Sequence, residues 1–193
     1  LVNLIAGLVR PDRGRIAVGE RVLVDTAARI FVPAHRRLIG YVFQEYNLLP
    51  ALSAIENVAL PLELDGVKPA KARLAALAAL EETGAAELAP RFPDDLSGGE
   101  QQRIAIARAL VGRRSIIMAD EPTGALDSNT GEKVMKALRR RIDDGAAGIL
   151  VTHEARFAAW AARTIFLRDG RLVASSRGDP LAQDLSPPAQ ARH

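Results

Sequence analysis

The chain has 193 residues, 48% hydrophobic and 25% charged, with 26 basic against 23 acidic side chains and no cysteine. That length holds one domain with a proper core; the net charge of +3 is too small to argue for nucleic acid, and disulfides are excluded. No apolar run approaches the roughly 20 residues of a membrane-spanning helix, and the first residues carry neither a basic leader nor a cleavage site.

In chain order, Leu1, Leu4, Ile5 and Leu8 have the spacing of a helix buried on one side, followed by a turn at Pro11-Asp12-Arg13-Gly14. Arg15 to Val18 and Arg21 to Val24 are β-type runs around Gly19-Glu20, a hairpin. Leu38 to Phe43 reads as a further strand, ending in Gln44. Tyr46 to Asp95 reads as a helical section. Within it, Ala54 to Leu64 is helical with a break near Pro61. Pro69 to Thr83 opens on proline, carries Leu74, Leu77 and Leu80 as ordinary core, and has Gly84 past its end.

Leu96 to Asp127 carries two devices suited to phosphate. In the first, Ser97 and Glu100 have the S-x-x-E spacing of a capping box, and the helix that follows puts Ile104, Ala107 and Val111 on one face, with Gln101, Gln102, Arg103 and Arg108 largely off it. A helix start with Gly98 and Gly99 beside unpaired N–H groups lets an anion approach closely. In the second, Ser115 to Ala119 is too short for a helix and reads as a buried strand from whose end Asp120 and Glu121 emerge together. Two adjacent carboxylates there are costly without a cation, so a Mg²⁺ partner and a water-activating base are the natural roles. Ser128 can cap a helix carrying Val134, Leu138 and Ile142 and ending near Gly145; Gly148 to Val151 is a strand closing on Thr152-His153-Glu154. Thr164 to Leu167 and Leu172 to Ala174 flank Asp169-Gly170, a hairpin signal, and from Ser176 the chain turns polar and reads as a disordered tail.

LSGGEQQR followed by IIMADEPTGALD resembles the signature motif, Walker B motif and D-loop of the ATP-binding-cassette (ABC) ATPases, and GYVFQ resembles their Q-loop. The resemblance implies an α/β fold of the P-loop NTPase (RecA-like) type, a mostly parallel sheet with a helical subdomain and a small antiparallel β subsheet. LVNLIAGL is similar to the helix directly after the Walker A loop, so the same resemblance implies an N-terminally truncated domain without that loop. Residues 1–45 and 112–175 would form the ATPase core with its subsheet, 46–111 the helical and signature subdomain, and 176–193 the tail.

The family also implies the roles. Asp120 and Gln44 would hold Mg²⁺, Glu121 would act as general base, and His153, which follows Asp120 by 33 residues, would be the switch histidine against the γ-phosphate. Ser97, Gly98 and Gly99 would cover the γ-phosphate of ATP bound to the opposite subunit, and Asp127, in the D-loop, would touch that subunit. The implied assembly is a head-to-tail homodimer, or heterodimer of two such domains, peripheral at the cytoplasmic face of the inner or plasma membrane. There it would power a transmembrane permease through a groove for a coupling helix near Tyr46, Leu48 and Leu49. The chain by itself would be inactive. ADEPTGALDS, LVTHE and FLRDGRLV resemble the exporter branch of lipoprotein release and macrolide efflux, whereas GRIAVGERVLVDTAARIFVPAHRRLIGYVFQ resembles the molybdate importers. The alternative is a degenerate, non-catalytic ABC-type module, against which Glu121 and His153 argue. Gln44 and Ser97 stand only 53 residues apart with no heptad run between, which speaks against the coiled-coil DNA-repair ATPases.

Overall fold

A computed structural model describes residues 1–168 and 171–177. The chain divides into two compact units, Leu1–Val151 and the residues from Thr152 on.

In the first unit β1 (Arg15–Val18) and β2 (Arg21–Asp25) pair antiparallel with Val18 opposite Arg21, the predicted hairpin. A third strand not foreseen in the sequence, β3 (Ile30–Phe31), pairs antiparallel with β2. The Asp25 carboxylate accepts from the N–H groups of Ala27 and Ala28 at 3.0 Å, and Arg29 takes φ +56°, which folds the chain back onto β2.

The parallel sheet is β4 (Ile39–Val42), β5 (Ile116–Asp120) and β6 (Ala147–Val151), in the order β4-β5-β6. Ile116 to Ala119 are all buried, as a central parallel strand covered on both faces requires. Helix α1 (Val2–Ala6) lies against one face, with Ala6 in a cluster with Ile116 and Met118. Two bonds fix its direction. Arg37, just before β4, donates from Nη1 to the carbonyls of Leu4 and Ile5 at 2.9 and 2.6 Å, at the carboxyl end of α1. Tyr41, further along β4, donates from its hydroxyl to Asn3 Oδ1 at 3.0 Å. The helix therefore runs antiparallel to β4, with its first turn toward the carboxyl ends of the strands. Arg37 is 1% exposed and also donates from Nε to the Val32 carbonyl at 2.7 Å; burial pushes its pKa down, and the negative end of α1 helps to hold the cation.

The helical section contains α2 (Ala54–Leu64), α3 (Pro69–Glu82) and α4 (Gly98–Leu110). The expected break at Pro61 does not occur: α2 runs through it, because one lost N–H in the last turn is tolerable. Nor are Leu74 and Leu77 core, at 70% and 36% exposed. The buried face of α3 is Ala72, Ala76, Ala79 and Leu80, spaced i, i+4, i+7 and i+8, and small residues there let the helices approach closely.

Helix α4 joins the two halves of this unit. Ile104, Ala107 and Val111 share a cluster with α2 and α3, while Ala109 lies against Gly40 of β4. Gln102, expected off the buried face, is 1% exposed, because a helix sandwiched this way has little free surface. Helix α5 (Ser128–Asp143) buries Val134 and Leu138 as expected, but its cap is Asp127 rather than Ser128: the Asp127 carboxylate accepts from the N–H groups of Asn129 and Thr130 at 3.0 and 3.1 Å.

The second unit has α6 (Ala155–Ala158) and an antiparallel ribbon of β7 (Arg163–Arg168) and β8 (Arg171–Arg177), with Arg168 opposite Arg171. Strand β8 thus includes Ser176 and Arg177, where the polar tail was expected to begin. Asp169-Gly170 and the rest of that tail lie outside the described residues.

Candidate functional site

The parallel register decides which side chains meet. Val42 of β4 stands opposite Ala119 of β5, so the chain leaving β4 toward Gln44 and the chain leaving β5 at Asp120-Glu121 emerge side by side at the carboxyl edge of the sheet. Three of the predicted residues, Gln44, Asp120 and Glu121, are therefore brought to one edge, the side on which α1 begins. Asp120 is half-buried, and its negative field, after burial itself, helps to push up the pKa of the Tyr41 phenol.

Glu121 has a strained backbone. Its φ is +48°, a left-handed conformation that costs a non-glycine residue about 1–3 kcal/mol, and it also precedes Pro122. Three contacts hold it: its N–H donates to the Val151 carbonyl at 2.9 Å, its carbonyl accepts from Gly124 N–H at 3.3 Å, and the Pro122 carbonyl accepts from Gln102 Nε2 at 3.1 Å. Strain held by so many fixed partners is what a site needs when one side chain must stay in a set position.

The tip of α4 is an exposed capping box. Ser97 donates from its N–H and its hydroxyl to Glu100 Oε2 at 2.8 and 2.7 Å, and Glu100 N–H donates back to Ser97 Oγ at 3.4 Å. Ser97 and Gly98 are exposed, so the tip is a surface feature and not part of its own core. Position 99 is a close approach: a Cβ there would stand 3.0 Å from the Ala125 carbonyl oxygen, tight enough that the loop would have to yield by a few tenths of an ångström. The helix tip and the loop before α5 are thus packed backbone to backbone. Asp127, in that loop, spends its carboxylate on the α5 cap.

The cap makes a testable prediction. Hydrogen bonds from Ser97 hold the Glu100 carboxyl below the usual carboxylate range, as those of Ser53 do for Glu56 and those of Thr130 for Asp127. A carboxyl whose pKa is lower folded than unfolded contributes stability above the unfolded value and loses it as the pH falls through the folded one. Ser97→Ala is expected to cost about 1 kcal/mol at pH 7, the usual worth of a cap, and less at an acid pH that has fallen through the lowered pKa of Glu100. Urea unfolding at the two pH values measures it; an equal cost at both would remove Glu100 from the cap.

Several positioning residues escaped sequence reasoning. Gln102 ties α4 to the Glu121 turn, and Gln101 donates from Nε2 to the carbonyls of Pro93 and Leu96 at 3.1 Å, fixing the approach to the tip. Arg108 and Asn57 both bond the loop after Gln44. No local signal marks them, since each acts on backbone distant in sequence or in an irregular loop. His153 is exposed and belongs to the second unit, two residues past Val151, which itself pairs with Asp120.

As for a cation, no group of three or more His, Cys, Asp or Glu side chains that could hold a metal occurs among the described residues. A half-buried carboxylate at the sheet edge toward which the chain of Gln44 also leads does not make a metal cage, but the chemistry of these two side chains fits Mg²⁺, which keeps several waters and is held by one or two protein oxygens plus substrate phosphates.

With this geometry established, the comparisons with known proteins are specific. A family model described as ABC transporter matches residues 1–124. The ABC transporter ATP-binding protein YvrO of Bacillus subtilis is 40% identical over 93% of this chain and 78% of its own length. The macrolide export ATP-binding/permease protein MacB of Burkholderia pseudomallei is 42% identical over 90% of this chain, which spans about a quarter (26%) of that protein. Among solved structures, the dimeric ABC transporter cassette MJ0796 superposes with a TM-score of 0.81 at 38% identity, covering 91% of this chain and 78% of that one. A post-hydrolysis dimer of the same cassette, bound to ADP and phosphate, gives the same score at 37% identity.

Proposed function

The chain belongs to the ABC transporter family, and from that premise we propose that it is the ATP-binding and ATP-hydrolysing subunit of an export-type transporter, working as a head-to-tail dimer with a transmembrane permease. The observation that carries this reading is the meeting of Gln44, Asp120 and a left-handed Glu121 at one sheet edge, in a chain that also presents an exposed serine-glycine helix tip. An edge of acids and an amide suits the Mg²⁺–phosphate side of ATP; a helix tip suits its outermost phosphate. No helix among the described residues is long and apolar enough to cross a membrane, and the macrolide relative is named for both an ATP-binding and a permease part. A permease subunit, with this chain peripheral at the cytoplasmic face, accounts for both.

In this mechanism Asp120 and Gln44 hold Mg²⁺, directly or through water. When bound, the cation draws charge from the phosphate oxygens. Glu121 takes the proton of the attacking water, and His153 donates a hydrogen bond to the γ-phosphate. The partner subunit's Ser97, the partner subunit's Gly98 and the partner subunit's Gly99 cover that phosphate from across the twofold axis, and the loop of Asp127 meets the opposite subunit. Loss of the phosphate removes what bridges the two surfaces, and the dimer opens. A G-x-x-x-x-G-K-[ST] cradle is not among these 193 residues, and the polypeptide on its own is accordingly proposed to be inactive.

The cation dependence tests the reading. Chelation of Mg²⁺ with EDTA is expected to stop ATP hydrolysis by the intact transporter, and Asp120→Asn to raise the Mg²⁺ needed for half-maximal rate by roughly 10–100-fold. An unchanged Mg²⁺ requirement in that variant would take Asp120 out of the metal site.

A further inference from the structure

Arg108 stands in the last turn of α4 and spans an unusual distance in sequence. Its Nη1 donates to the Asn47 carbonyl at 2.6 Å and its Nη2 to the Tyr46 carbonyl at 2.8 Å. Burial pushes the pKa of this guanidinium down, and among the described residues no carboxylate forms an ion pair with it. Two backbone carbonyls therefore offset the desolvation of a cation, a task for which a planar, two-pronged donor is suited and an ammonium is not.

The loop it grips is braced in other ways. Asn47 sits at φ +48° and donates from Nδ2 to the Glu45 carbonyl at 3.1 Å. Asn57 of α2 accepts from Leu49 N–H at 2.8 Å and donates to the carbonyls of Leu49, Leu52 and Ser53. Tyr46 also touches α4 at its other end: a Cβ added at Gly98 would lie 2.9 Å from the Tyr46 hydroxyl oxygen. The loop that begins at Gln44 is thus bonded to α4 at its last turn and lies against it at its first, and that first turn is the Ser97–Gly99 tip.

We propose that Arg108 is a positioning residue that makes the Gln44 loop and the Ser97–Gly99 tip move as one body, so that nucleotide sensed by Gln44 in one site is passed to the tip that covers the nucleotide in the other. The inference rests on the transporter reading above. In a head-to-tail dimer each tip serves the opposite site, so this clamp couples the two sites and makes ATP hydrolysis cooperative. A clamp of backbone carbonyls on a guanidinium transmits displacement without needing either site to contact the other.

Arg108→Met keeps the apolar stem and removes the fork. In the intact transporter it is expected to lower kcat about tenfold and bring the Hill coefficient for ATP close to one, with the Kd for ATP unchanged within about twofold. Arg108→Lys, which keeps the charge but not the fork, should restore part of both. If Arg108→Met does not fold, Arg108→Lys and Arg108→Gln decide the matter on the same two readouts. Three results overturn the clamp: unaltered kcat and cooperativity in these variants, a kcat that falls only in step with the folded fraction in a thermal melt, or a parent transporter with no cooperativity in ATP. A parent that hydrolyses no ATP at all sinks the transporter reading, and this inference with it.

Discussion

Replacing Glu121 with Gln in the intact transporter is expected to leave ATP binding intact and to slow hydrolysis by about 10²–10⁴-fold, the usual worth of a positioned general base. The amide has the size and shape of the carboxylate, so it can occupy the same left-handed turn between the Val151 and Gly124 bonds. What it cannot do is accept the proton of water at neutral pH. The backbone bonds that hold the turn, from Glu121 N–H to the Val151 carbonyl and from Gly124 N–H to the Glu121 carbonyl, are available to glutamine as well, so a thermal melt of the variant separates loss of chemistry from loss of fold. Equilibrium nucleotide binding and single-turnover phosphate release separate the two steps. Normal turnover in Glu121→Gln would take this residue out of the proton transfer.

Gly40→Ala is expected to cost the fold about 3 kcal/mol or more. A Cβ at position 40 would overlap the backbone carbonyl of Ala109 in α4. Neither group can rotate away, since one belongs to a strand paired with β5 and the other to a helix buried nearly all round. Either β4 or α4 has to shift, and α4 carries both the Arg108 clamp and the Ser97 tip. Gly148→Ala is the control. There the added methyl meets only the Ile142 side chain, which can change rotamer, so a cost of about 1 kcal/mol is expected. Urea unfolding of the two variants compares them directly. Equal costs would mean that the β4–α4 contact is softer than its geometry implies.

The motifs with local signatures were readable from the chain alone. Strand β5 announced itself by a short apolar run ending in two acids, and the Ser97 cap by its spacing to Glu100; both occur as expected. The parallel sheet and helical section follow the family resemblance. What failed depended on distant partners. Leu74 and Leu77 look like core on a hydrophobic scale, yet the alanines of α3 face α2 and α4 because close helix packing favours small residues. Strand β3 has two residues and exists through the Asx turn before it. Ser128 has the chemistry of a cap, but Asp127 one residue earlier has it too, and a carboxylate satisfies two N–H groups at once. Gln102 and Arg108 read as surface residues because their polar ends are accounted for only by backbone carbonyls 20 and about 60 residues away.

One measurement bears most directly on the idea that each active site is built from two subunits. Nucleotide-binding subunits are joined in pairs within the transporter, and the substitutions Glu121→Gln and Ser97→Arg are combined in two ways. Placed on different subunits, both defects fall in one shared site, leaving the other whole, and ATP turnover should persist. Placed on the same subunit, they strike one site each, and turnover should vanish. The opposite pattern, with activity surviving only when both changes sit on one chain, would show that Ser97 serves its own subunit's phosphate and would contradict the account.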